Sequence, residues 1–152
     1  MTEMNAFVLP GGKVFVYSGI IPIAKDDDGM AAILGHEIAH NLARHTAEQM
    51  SSMVLLAPIR WAFISLDYYF AGVTMGLGRF LGDIALHLGL MMPASRKQES
   101  EADYLGLLMM AKACYDPNAA VRVWQRMEAA GDSGIPQWLS THPSVSTLPV
   151  FG

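Results

Sequence analysis

In the stretch AAILGHEIAHNLARH, residues 31–45, two histidines stand four apart around a glutamate in an otherwise small and apolar run. On an α-helix each residue turns about 100°, so His36 and His40 differ by about 40° and stand one turn apart on the same face. Two imidazoles placed in this way can meet one ion. Glu37, next to the first histidine, can lean over that face without being a ligand and take a proton from a water that the ion activates. A five-residue pattern also arises by chance, as polar positions on an ordinary helix, so the rest of the chain has to decide.

A catalytic zinc takes three protein ligands and keeps a fourth position open, which calls for a third His, Glu or Asp on another element. The run ESEAD, residues 99–103, offers one. Glu99 and Asp103 share a face, whereas Glu101 lies about 200° round from Glu99. Glu99 as a ligand, with Asp103 accepting a hydrogen bond from a ligating histidine, would supply both the ion's contacts and their support. The plain alternative is a solvated helix face preceded by Arg96 and Lys97.

His45 is nine residues from His36, about 180° round a continuous helix, and is expected at the surface. His87 sits in an apolar stretch and reads as structural. His142, in STHPS, is either an exposed loop residue or a donor to the oxyanion that forms when water attacks a peptide carbonyl. The single cysteine, Cys114, excludes an intrachain disulfide and reads as a small buried residue in LGLLMMAKACYDP.

These residues need scaffolding. Two β-favouring runs, 6–9 and 13–20, are split by Pro10-Gly11-Gly12, which predicts a hairpin within 5–20. Three aspartates at 26–28 then precede an alanine-rich run, and negative charge there favours a helix start, giving a helix over 29–50. The segment 53–92 is apolar in long patches interrupted by Pro58, Arg60, Asp67, Arg79 and Asp83. No window of about 20 residues there is cleanly apolar enough to span a bilayer. A helical hairpin with one very apolar face fits, packed on protein, lying on a membrane or crossing it. From 96 a helix runs until Pro117 stops it, with Leu105, Leu108, Met109 and Ala113 on its apolar side. Asp116 and Pro117 begin another helix, closed by Gly131. The tail 132–152 is loop-like.

With 152 residues, 52% hydrophobic and 16% charged, the chain is large enough for one domain with a core and far from disordered compositions. A net charge of -4 without a basic run argues against nucleic acid as a partner. The first residues carry neither a basic start nor a continuous apolar run and do not read as a targeting segment.

His36-Glu37-x-x-His40, followed by Glu99-x-x-Ala102-Asp103 and Thr141-His142-Pro143, resembles the gluzincin peptidases of the HtpX and CaaX-prenyl-protease type. NAFVLPGGKVFVYSG, ILGHEIAHNLARH, EADYLGLLMMAKACYDP and WLSTHPS together look most like the Oma branch of mitochondrial inner-membrane metalloendopeptidases, which act in stress-driven protein processing. The resemblance implies an α+β, mainly α, zincin-like domain and one zinc held by His36, His40 and Glu99. It implies Glu37 as general base and acid, Asp103 orienting a ligand histidine, and His142 near the oxyanion or the water. An extended protein substrate, drawn from membrane proteins, would pair with the edge of the strand carrying Val14, Phe15 and Val16; those residues could equally be plain sheet core. Relatives of this pattern carry a further strand and anchoring sequence ahead of the hairpin and an arginine-bearing segment and helix after the tail, so the single domain 1–152 is expected to be incomplete at both ends. The competing class is a non-catalytic module that keeps the fold and the metal and uses the 53–92 segment to hold membrane proteins. A metal-free helical domain would require both clusters to be accidental.

Overall fold

The short strands β1 (Ala6–Leu9) and β2 (Lys13–Val16) are the only strands among the described residues, which in this computed structural model are 3–9, 11–70, 76–130 and 142. They pair antiparallel with Ala6 opposite Val16 and Phe7 opposite Phe15, whose rings stack 5.2 Å apart. Gly11 and Gly12 both adopt positive φ, 95° and 81°, which the turn between the strands requires. The strand predicted over 13–20 stops at Val16. After the Tyr17 N–H donates to the Asn5 carbonyl, the chain tightens through a 3-10 turn, Ser18–Ile20, into the short helix α1 (Ile21–Ala24) with Pro22 in its first turn.

Helix α2 (Asp27–Leu42) begins where the aspartates predict: the Asp26 carboxylate accepts the Gly29 N–H at 2.8 Å, with Asp27 and Asp28 in the first turn. It does not run on to 50. Arg44 takes a left-handed φ of 58°, its N–H bonds to the Asn41 carbonyl, and a new helix, α3 (His45–Tyr69), starts one residue later. A non-glycine residue in that conformation costs roughly 1–2 kcal/mol, so no sequence signal marks the stop.

Helices α4 (Leu77–Leu86) and α5 (Met92–Lys112) are linked by a π-helical segment, His87–Met91. α5 ends at Cys114, φ 63°, where the Tyr115 N–H reaches the Met110 carbonyl and the Cys114 N–H the Ala111 carbonyl, a six-to-one and five-to-two closure. That closure turns Cys114 outward; it is exposed, not buried. Asp116 then caps α6 (Asn118–Ala130), its carboxylate accepting the Asn118 N–H. Gly131 and the tail reading 132–152 lie outside the described residues, apart from His142.

The chain divides into two compact units: one comprises the chain up to His45 and from Gln98 onward, the other is Thr46–Lys97. In the first, Ile20, Ile33 and Val123 are fully buried with Met110, Trp124 and Met127 around them, each large apolar side chain contributing about 1.5–3 kcal/mol. The Arg126 guanidinium donates to the Ile23 and Ala24 carbonyls, which α1 leaves without partners of its own. In the second, Arg60 pairs with Asp83 at 3.1 Å, and the Phe63 ring packs so tightly on Gly82 that a Cβ there would fall 2.8 Å from it. The residues Met53, Trp61, Ile64, Phe80, Ile84 and Met91 help to line a cavity of about 1110 Å³, with His87 at its wall. The expectation that no window here is apolar enough to span a bilayer fails for α3: His45–Tyr69 is long and apolar enough to cross a membrane by length and composition, because its 25 residues form one helix despite Pro58.

Candidate metal centre

Two helices carry the chemistry. α2 buries His36, Glu37 and His40 on one side, and α5 buries Glu99 and Asp103 one turn apart. They meet at Gly35 and Gly106: a Cβ on Gly35 would lie 3.2 Å from the Gly106 carbonyl oxygen, and one on Gly106 would lie 3.1 Å from the His36 backbone nitrogen. A Cβ at either position would push the two backbones apart by a few tenths of an ångström. The closest approach of the helices therefore falls one residue from His36 and one turn beyond Asp103.

The buried face of α5 is not the apolar side predicted from Leu105, Leu108 and Met109. It runs through Gln98, Glu99, Ala102, Asp103, Gly106, Leu107 and Met110, while Leu108 is exposed. Here polar and small residues are buried because they face the site.

His36 Nε2 lies 3.0 Å from His40 Nε2, 3.3 Å from Glu99 Oε2 and 3.1 Å from His142 Nδ1. His142 Nδ1 is 2.9 Å from Glu99 Oε2, and His40 Nε2 is 3.4 Å from Glu99 Oε1. Donor atoms about 2.05 Å from one ion at tetrahedral angles lie roughly 3.3 Å from one another, and these separations match that spacing. Asp103 Oδ1 accepts from His36 Nδ1 at 2.9 Å, which in a neutral ring leaves the lone pair on Nε2, facing the Nε2 of His40. Two nitrogen lone pairs at 3.0 Å repel each other unless a proton or a cation lies between them. A set of three imidazole nitrogens and one carboxylate suits zinc.

The electrostatics agree. Burial disfavours the charged form of His36, yet hydrogen bonds to Asp103 and Glu99 outweigh it and raise its pKa from 6.5 to about 9. Burial pushes the Glu99 carboxyl up, but hydrogen bonds from His142, His36 and His40 hold it well below the usual carboxylate range. Without an ion, the pocket thus holds a proton where an ion would sit, and an ion must displace it.

The predicted residues His36, Glu37, His40, Glu99 and Asp103 all gather here. His142 joins them, with Nδ1 at the fourth corner of the cluster and Nε2 3.5 Å from Glu37 Oε1. Val14, Phe15 and Val16 stand apart on β2, partly exposed, and the free side of β2 pairs with no strand among the described residues. His45 is the histidine that the sequence misplaces. It is 2% exposed, with Nδ1 2.9 Å from His40 Nδ1, because the left-handed Arg44 resets the helical phase that would have pointed it outward.

A model of peptidase family M48 matches residues 1–147. The chain belongs to peptidase family M48. Its family relatives include the mitochondrial metalloendopeptidase OMA1 of Schizosaccharomyces pombe, 48% identical over 142 residues, which are 92% of this chain and 40% of the relative. The human mitochondrial metalloendopeptidase OMA1 is 37% identical over 147 residues, 93% of this chain and 28% of that protein. The β-barrel assembly-enhancing protease of Escherichia coli is 29% identical over 145 residues, 93% of this chain and 30% of the protease. This M48 chain therefore spans well under half the length of the curated relatives it matches.

Proposed function

We propose that this chain is the catalytic domain of a zinc metalloendopeptidase that cleaves membrane-associated proteins at the mitochondrial inner membrane, in protein quality control and stress response. The observation that carries the reading is the convergence of His36 Nε2, His40 Nε2 and the Glu99 carboxylate, whose Oε2 lies 3.3 Å from the first and Oε1 3.4 Å from the second, with the Glu37 carboxylate alongside. The mitochondrial names of the OMA1 relatives support the location.

One zinc ion per chain would be held by His36, His40 and Glu99, with Asp103 orienting His36. Such an ion polarises a carbonyl and makes water more acidic. Glu37, buried beside the cluster, would take a proton from the attacking water as its oxygen bonds to the scissile carbonyl carbon, and would return it to the amine as the C–N bond breaks. His142 would have to leave the fourth corner for water to enter, after which it stands within reach of the carbonyl oxygen on which charge develops. The free edge of β2, with Val14, Phe15 and Val16, would pair with an extended substrate through its main chain. Residues 53–92 would contact the membrane in which the substrates lie.

A second reading, a non-catalytic zinc-binding or membrane-protein-binding module, draws on His142: four protein donors close a site, as in structural zinc centres. Variants separate the two. Glu99→Gln should lose zinc, and Glu37→Gln should keep zinc yet stop cleavage of an unstructured test protein. Zinc retained by Glu99→Gln refutes the ligand set, and cleavage surviving Glu37→Gln refutes its role as base.

A further inference from the structure

A buried imidazole beside the centre has no role in the scheme above. His45 Nδ1 lies 2.9 Å from His40 Nδ1, the two rings edge to face, and His45 Nε2 lies 3.4 Å from Glu101 Oε2. An ionised carboxylate only accepts, so Glu101 takes the proton carried on His45 Nε2 and leaves His45 Nδ1 as a bare acceptor. The atom that can satisfy this acceptor is an N–H at His40 Nδ1. In a neutral ring that leaves the lone pair of His40 on Nε2, the atom that faces His36 and Glu99.

We propose that His45, held by Glu101, is a positioning residue that locks His40 in the tautomer and ring plane needed to ligate a metal ion. The opposite assignment, with the proton on His45 Nδ1, forces His40 to carry its own proton on Nε2 and closes that atom to a cation. Each ligand histidine thus has its own support, Asp103 at 2.9 Å for His36 and His45 at 2.9 Å for His40. The two supports differ in charge. Asp103 is a buried carboxylate, whereas His45 offers a neutral acceptor and its partner Glu101 is half exposed, so the second support brings no further buried charge to the donors. The left-handed Arg44 is what turns His45 back over His40, which gives that strained residue a purpose in the site.

The inference rests on the metal-centre reading, and the experiment keeps the two apart. Zinc affinity of the full chain is measured by chelator competition at neutral pH. His45→Leu, which has no acceptor, should weaken zinc about 10–100-fold, and His45→Gln, whose amide oxygen can accept the same proton, should recover most of that loss. Glu101→Ala removes the looser contact and should cost less than about tenfold, adding nothing in the His45→Gln background. Two-bond ¹⁵N–¹H spectra of zinc-loaded wild type need no variant to fold, and should show the proton on Nδ1 of His40 and on Nε2 of His45. A proton on Nδ1 of His45, or a folded His45→Leu with wild-type zinc affinity, overturns the inference and leaves the metal centre standing. A wild-type chain that binds no zinc overturns both.

Discussion

Replacing Gly106 by alanine tests whether the site depends on the closeness of two helices. The added Cβ would lie 3.1 Å from the His36 nitrogen, 3.2 Å from the Gly35 carbonyl carbon and 3.3 Å from the His36 Cα. Ordinary contacts between such atoms are about 3.5–4.0 Å, so the helices must separate by a few tenths of an ångström. All three neighbours are backbone, and no side chain can swing aside. In an exposed helix the same change would stabilise by up to about 1 kcal/mol, while forcing extra volume into a packed contact costs about 1–3 kcal/mol. The expected net effect is a loss of roughly 1 kcal/mol. The effect on the centre should be larger. Metal–ligand distances tolerate about ±0.2 Å, and a shift of a few tenths of an ångström that moves Glu99 and Asp103 together away from His36 reaches that limit, so zinc affinity should fall by about tenfold. Urea unfolding of the metal-free protein gives the first number and chelator competition the second. A Gly106→Ala protein that is more stable than wild type and binds zinc equally well would refute the close crossing and the reasoning built on it.

Three further outcomes are expected. In metal-free protein the raised pKa of His36 contributes stability that is fully present below about pH 6.5 and is lost as pH rises through about 9, up to about 3 kcal/mol in all; urea unfolding of chelator-treated protein across that range should show the decline, and a flat profile contradicts it. Asp26→Ala should cost about 1 kcal/mol by removing the cap of α2, read as a lowered urea midpoint. If residues 53–92 lie in lipid, the chain should float with phosphatidylcholine vesicles and brominated acyl chains should quench Trp61, which is largely exposed on α3; a chain that stays at the bottom of the gradient with unquenched Trp61 contradicts membrane contact.

The sequence makes the centre legible because its logic is local. His36 and His40 one turn apart, and Glu99 and Asp103 one turn apart, follow from helical geometry alone, and their meeting needs only the two helices to cross. The hairpin and the aspartate cap are legible for the same reason. What escapes are the left-handed residues. Arg44 and Cys114 end helices without a glycine, and with those stops unseen, His45 reads as a surface residue and Cys114 as a buried one. The buried face of α5 escapes because hydrophobic patterning presumes an apolar interior, whereas this interior is lined by carboxylates and a glycine that serve the site. Glu101 does point away from Glu99 as helical phase demands, and only the misplaced His45 hid what it meets.

The most direct test of the central claim is anomalous diffraction at the zinc edge from crystals of the zinc-loaded protein. A single peak about 2.0–2.2 Å from Nε2 of His36, Nε2 of His40 and an oxygen of Glu99 is the result this account predicts. A peak on other residues, or none within reach of Glu99, would contradict it.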